Sequence, residues 1–319
     1  MAGDRALRIA SRGSRLALAQ TETVRDRLAG AWPGRRFEIT VLETRGDREI
    51  DRPLPQIGGK GLFTQALERA LLAGQVDIAV HSLKDLPTEI AEGLTIAAIP
   101  GRADPRDVWV ARRNGPTGPD RAARGARIGT SSERRRAQIL ALRPEVEVAP
   151  VRGNVETRIR KLDEGEYDAL IMAAAGLIRL GLQDRITTFL EPPDWLPAPG
   201  QGAIAAQSRA DDAATAALLA PIDDGPARRE TEAERALLET LQGGCQVPVG
   251  ARAHDHGQAL VLYALVARPD GSEVVAAEGR GDPADPGALG RRVARELLDR
   301  GGAAILERFR AQPRVGPGR

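Results

Sequence analysis

Along the first third of the chain, short apolar runs alternate with stretches whose apolar positions recur every three or four residues. LRIA, FEITVLET, VDIAVHSL and LTIAAIP read as strands, and a helix is predicted from about Arg15 to Leu28. A second helix covers LFTQALERALLAG, where Leu62, Phe63, Ala66, Leu67, Ala70 and Leu71 share one face and Gly74 supplies a stop. This alternation predicts a parallel sheet with covering helices. The polar segments GRADPRD and RRNGPTGPDRAARG bracket the strand DVWVA and mark a boundary near residue 102. A second unit then follows: ARIGT as strand, SSERRRAQILAL as helix, VEVAPVRG as strand, NVETRIRKLDEG as helix, and YDALIMAAAGL as a strand running into a helix. After the proline-rich EPPDWLPAPGQG, AIAAQSRA reads as one more strand, placed to return to the first unit. From about residue 223 the pattern becomes a helix, RRETEAERALLETL, then QALVLYALVARP and SEVVAAEGR as paired strands around Pro269-Asp270-Gly271, then a closing helix within 286–309. The expectation is an α/β protein of two lobes, 1–102 with 203–222 and 103–202, enclosing an interlobe cleft, plus a small α+β domain over 223–319.

Composition narrows the chemistry. At 319 residues the chain is too long for one small binding module. Its 46 Lys plus Arg against 44 Asp plus Glu leave a charge of only +2, and aromatics make up 3%, so neither a global basic field nor a set of base-stacking platforms exists. No nucleic-acid partner is expected. One cysteine, Cys245, excludes an internal disulfide and a Cys-rich zinc site, and His81, His254 and His256 are too few and too scattered for a metal cluster, so no metal is expected. The N-terminus lacks the apolar core of a signal peptide, and no apolar run is long enough to cross a bilayer. A cytoplasmic, reducing setting without a membrane partner is the expectation. Lysine occurs only at Lys60, Lys84 and Lys161, which leaves positive charge to arginine, the residue that grips carboxylates in bidentate fashion.

Three places share one design, a strand end followed by a small polar residue able to cap a helix, with arginine close by. They are Ser11-Arg12-Gly13-Ser14, Gly129-Thr130-Ser131-Ser132-Glu133-Arg134-Arg135-Arg136, and Val151-Arg152-Gly153-Asn154 with Arg158 in the helix that follows. Positive side chains in a first helical turn oppose the macrodipole, and an anion would resolve the conflict. Pairing with surface carboxylates is the plainer explanation for any one site; three together point to a polyanionic small ligand, most naturally a polycarboxylate. His81-Ser82-Leu83-Lys84-Asp85 follows another strand, and an aspartate beside a lysine there is either a surface turn or an acid-base or cation-stabilising group. Gly58-Gly59-Lys60-Gly61 fails the phosphate-loop spacing, Gly200-Gln201-Gly202-Ala203-Ile204-Ala205 follows a proline-rich loop and reads as a hinge, and Arg45-Gly46-Asp47 is a chance string. Cys245, in the loop GGCQVPVG, is either a packed core residue or an accessible thiol able to attach a group covalently.

Together these segments resemble the porphobilinogen deaminase family. The strings that carry the resemblance are LRIASRGSRLALAQ, GGKGLFTQALE, DIAVHSLKDLPT, DPRDV, IGTSSERRR, RGNVETRIRKLDEGEYDALIMAAAGLIRLGL, LPAPGQGAI and TEAERALLETLQGGCQVPVG, in family order from about residue 7 to 251. The resemblance implies two lobes like those of type II periplasmic binding proteins and a third domain bearing the cysteine. It implies a dipyrromethane cofactor held by a thioether to Cys245, four porphobilinogen units added stepwise with loss of ammonia, and release of a linear tetrapyrrole by hydrolysis, by a monomer. Asp85 is then the catalytic residue, serving pyrrole N–H groups and the cationic azafulvene. By the same resemblance Lys84, Asp85, Thr130, Ser131, Ser132, Arg134, Arg135 and Arg158 are expected to contact the cofactor, and Arg12, Ser14, Arg152, Arg179 and Gln201 to contact substrate. Arg15, Gln56, Glu133 and Glu156 depart from the family pattern, the two acids placing negative charge near an anion site or serving as first-turn acids. A second reading is a cytoplasmic solute-binding or sensor protein on the same scaffold, which would need neither Asp85 nor Cys245. A nucleic-acid binder comes third.

Overall fold

The computed structural model describes residues 5–44, 64–242 and 247–311. Cys245, Gln56, the Gly58–Gly61 string and Arg45-Gly46-Asp47 lie outside them. Two compact units divide the chain, Met1–Ala103 with Ala203–Arg228, and Asp104–Gly202 with Arg229–Arg319.

In the first unit the strands are β1 (Leu7–Ser11), β2 (Phe37–Val41), β3 (Ile78–Ser82), β4 (Leu94–Ala98) and β10 (Ile204–Arg209), in the order β2-β1-β3-β10-β4. Helices α1 (Arg15–Ala31) and α2 (Gln65–Leu72) follow β1 and precede β3. Strand residues alternate between two cores, as the period of two requires. Ile9, Ile78 and Val80 pack with Val24 and Leu28 of α1 on one face, while Ala10 and Ala79 pack with Leu67 and Leu71 of α2 on the other.

The second unit holds β5 (Asp107–Ala111), β6 (Arg127–Gly129), β7 (Glu147–Ala149), β8 (Ala169–Ala173) and β9 (Thr188–Leu190) in the order β7-β6-β8-β5-β9. Its helices are α3 (Glu133–Leu142), α4 (Val155–Asp163) and α5 (Ala174–Arg179). Val108, Val110, Leu170 and Met172 face one core, and Trp109, Ile128 and Ile171 the other.

The expectation of a wholly parallel sheet needs correction. β10 runs antiparallel to both β3 and β4, and β5 antiparallel to β8 and β9. Each is the first strand after the chain enters a unit, so no crossover helix fixes its direction.

The rest of the second unit is an antiparallel sheet, β11 (Val249–Asp255), β12 (Leu260–Ala267) and β13 (Val274–Gly281), covered by α7 (Gly225–Thr240), α8 (Pro286–Leu297) and α9 (Ala303–Ala311). α6 (Ala213–Leu219) belongs to the first unit. Leu237, Val266, Val293 and Leu306 are among the fully buried residues of the core between this antiparallel sheet and its helices. The closing helix is two helices, because Gly301 at φ 112° turns the chain between α8 and α9. The turn joining β12 to β13 abuts the end of α3: a Cβ on Gly271, which has φ +73°, would lie 2.4 Å from the Ala141 nitrogen.

Candidate functional site

In the first unit β1 and β3 are parallel neighbours, with Ile9 opposite Ile78, so their C-terminal ends share one edge of the sheet. That edge carries Arg12 after β1 and Lys84 and Asp85 after β3, each half-buried. Lys84 and Asp85 sit on a single 3-10 turn pinned by Leu83, whose side chain is fully buried and whose N–H donates to the Ala203 carbonyl at 3.0 Å. Ser14 caps α1, its Oγ accepting from the Ala17 N–H at 3.3 Å. His81 is buried at the same strand end. Glu68 Oε1 accepts from Gln207 Nε2 at 3.2 Å, which turns Gln207 Oε1 toward His81 Nε2 at 3.1 Å. The imidazole must therefore donate from Nε2. Burial, with the Arg12 charge adding to it and the Gln207 bond opposing, pushes the imidazole pKa down to about 4, so the ring is neutral at pH 7.

The second unit centres on Asp107 at the start of β5. Its carboxylate is fully buried and accepts from Arg134 Nη1 at 2.5 Å, Arg135 Nη2 at 2.7 Å and Nε at 3.1 Å, Trp195 Nε1 at 2.9 Å and Gln201 Nε2 at 2.9 Å. Burial alone would raise this carboxyl; the two guanidiniums outweigh it and hold it far below the usual carboxylate range. The macrodipole conflict expected at the start of α3 is thus met first by the chain's own carboxylate. One carboxylate faces two guanidiniums, however, and further cations adjoin them. Burial pushes Arg158 down to about 10, with Arg135 and Arg152 adding repulsion, and burial alone lowers Arg152. At Asp107 itself two buried guanidiniums share one carboxylate.

The remaining expected residues hold this scaffold together. Ser132 caps α3, Thr130 Oγ1 accepts from the Ser132 N–H at 3.2 Å, and Ser131 Oγ donates to the Val151 carbonyl at 2.8 Å, tying the loop before α4 to the loop before α3. Arg158 Nε donates to Gly153 O at 2.9 Å, and Arg179, pushed down to about 10 by burial, donates from Nη2 to Gly202 O at 2.6 Å. Gly202 and Gly200, both at positive φ, close the unit's first segment, and the Gly200 N–H is held by Glu234 of its second segment at 2.7 Å. Of the two departing acids, Glu133 lies in the first turn of α3, where burial raises its carboxyl and Arg136 opposes the rise, and Glu156 lies in the first turn of α4. Sequence reasoning missed Asp107 and Trp195. The signal for Asp107 was the string DPRDV, an acid opening an apolar strand. Among the described residues no group of His, Asp and Glu is placed to hold a metal ion.

Comparison with known proteins decides what this geometry belongs to. Residues 7–217 match the porphobilinogen deaminase dipyromethane cofactor binding domain, and 229–299 the porphobilinogen deaminase C-terminal domain. The chain belongs to the porphobilinogen deaminase family. A porphobilinogen deaminase of Syntrophobacter fumaroxidans is 52% identical over 95% of this chain and 98% of its own length, and one of Roseiflexus sp. is 51% identical over 93% and 97%. A periplasmic sulfonate-binding protein from Methylobacillus flagellatus superposes with a TM-score of 0.40 at 13% identity, over 75% of this chain and 68% of its own. As a porphobilinogen deaminase the chain is a transferase of tetrapyrrole biosynthesis that works with a dipyrromethane cofactor. The donor set is chemically compatible with such a group, since a dipyrromethane bearing carboxylates is a polyanion and guanidiniums are the side chains that pair with carboxylates.

Proposed function

We propose that this porphobilinogen deaminase holds its cofactor through Cys245 and through Arg134, Arg135 and Arg158, and handles substrate with Arg12, Arg152 and Asp85. The observation that carries the reading is the shared carboxylate: Asp107 satisfies part of two buried guanidiniums and leaves net positive charge for carboxylates to neutralise. When bound, the cofactor supplies the pyrrole carbon to which substrate units are joined. Lys84 contributes a further cation at the strand end, and Asp85 an acceptor for pyrrole N–H groups and a negative charge beside a developing cation. Thr130, Ser131 and Ser132 serve the cofactor through the loop they brace, Ser14 serves substrate through the helix end it caps, and Arg179 and Gln201 through the segment ahead of β10. We read three domains, 1–102 with 203–222, 103–202 and 223–319, in a cytoplasmic monomer that engages neither nucleic acid nor membrane; no described helix is long and apolar enough to cross one.

The test is intact mass together with Cys245→Ala. The parent, denatured in acid, is expected to retain two pyrrole units, and the alanine variant none, because no second cysteine exists to form the thioether. An unmodified parent that still makes hydroxymethylbilane overturns the reading. Asp85→Asn, folded and cofactor-loaded, is expected to lose nearly all ammonia release, since the amide carries neither charge nor exchangeable acid.

A further inference from the structure

A pocket of about 160 Å³ lies in the second unit, lined by Arg136 of α3, Arg268 and Asp270 of the β12–β13 turn, and Arg308 and Phe309 of α9. It is not among the groups assigned above. Three guanidiniums face one carboxylate, and that carboxylate is already engaged: Asp270 accepts from the Ser272 hydroxyl at 2.7 Å, the Ser272 N–H at 3.1 Å and Arg268 Nη2 at 3.2 Å. Arg136 Nη1 is oriented by the Val148 carbonyl at 3.2 Å, an acceptor that carries no charge. Arg308 is exposed, and no described residue forms an ion pair with it or with Arg136. Glu133, one turn back on α3, is felt by Arg136 without forming an ion pair with it.

We propose that this pocket binds a small doubly charged oxyanion, bridging Arg136 and Arg308 and clamping α9 and the β12–β13 turn against α3. Arg136 and Arg308 come from different elements, line one pocket and form no ion pair with a described carboxylate, so a dianion seated between them would gain charge-assisted contacts to both. Size limits the occupant to a phosphate or a compact dicarboxylate, and the Phe309 ring favours a ligand with an apolar edge. Because α3 also carries Arg134 and Arg135 on its buried side, an occupant would brace the helix that presents them.

The full-length protein is titrated with inorganic phosphate and with succinate at constant ionic strength, and Tm is followed by calorimetry for the parent, Arg308→Gln and Arg308→Glu. A saturable rise in Tm is expected for the parent with at least one of the two anions. Arg308→Gln should weaken the apparent affinity about tenfold, the loss of one charge-assisted contact, and Arg308→Glu should abolish it. The anion-free Tm of Arg308→Gln should match that of the parent, because Arg308 is exposed and forms no ion pair there, and its kcat and KM in anion-free buffer should be unchanged. Succinate acting more strongly than phosphate would place the ligand against Phe309; phosphate acting more strongly would place it on the guanidiniums alone. Equal Tm responses in all three proteins, or no saturable response to either anion, would overturn the proposal.

Discussion

At the scale of single residues, His81 and Asp107 show how burial and partners set charge state in opposite ways. His81 is held neutral, with a folded pKa of about 4 against the ordinary 6.5. The unfolded chain therefore binds more protons between these values, so stability is complete above about pH 6.5 and is lost as pH falls toward 4. The full loss amounts to roughly 3 kcal/mol. Denaturant unfolding across that window should show this slope, and His81→Asn should flatten it; an unchanged slope would mean that another group is responsible. Asp107 is the reverse case, a carboxylate held charged by two arginines. Asp107→Asn leaves both guanidiniums buried without a counterion and should cost about 3–5 kcal/mol. A bound polycarboxylate supplies part of the missing charge, so the cofactor-loaded variant should lose less stability than the cofactor-free one when the two are unfolded side by side in urea. Equal losses would place the cofactor away from Arg134 and Arg135.

At the scale of elements, most of the fold was legible because its strands are short apolar runs and its helices carry caps the sequence announces, Ser14, Ser132 and Asn154 among them. What escaped had weak or misleading local signal. β9 is three residues long, and β11 reads VGARAHD, small and polar residues whose strand character comes from pairing along β12. The direction of β5 and β10 escaped because it depends on how the chain re-enters a unit. The candidate site was legible in its arginines, since cations in a first helical turn stand out against the macrodipole, but not in Asp107, which meets Arg134 from 27 residues away in sequence. Gly271 is a third kind of case, a turn glycine that is also a close contact. Gly271→Ala puts a side chain at φ +73° and against the Ala141 nitrogen, and should cost at least about 2 kcal/mol. Calorimetry checks this, and a variant as stable as the parent would show that the turn can lift off α3 freely.

For the molecule as a whole, near-neutrality and a strong local field coexist. A charge of +2 spread over 319 residues gives no long-range attraction for anions, yet the second unit sets Arg134 and Arg135 on one buried carboxylate and places Arg158 where it feels both Arg135 and Arg152. Capture of a carboxylated substrate should therefore depend on short-range pairing and not on steering from a distance. Added salt screens exposed charges within a Debye length of about 8 Å at physiological ionic strength and buried ones far less. KM for porphobilinogen should then rise only modestly, by a factor of a few, as sodium chloride goes from low to physiological concentration, with kcat nearly constant. Arg152→Leu and Arg12→Leu should raise KM at every salt concentration, each by about tenfold or more, the equivalent of one charge-assisted hydrogen bond to a carboxylate. Steady-state kinetics over a salt series separates the two possibilities: a steep fall in kcat/KM with salt in the parent, unaltered by either substitution, would assign substrate capture to a diffuse surface field and remove these arginines from it.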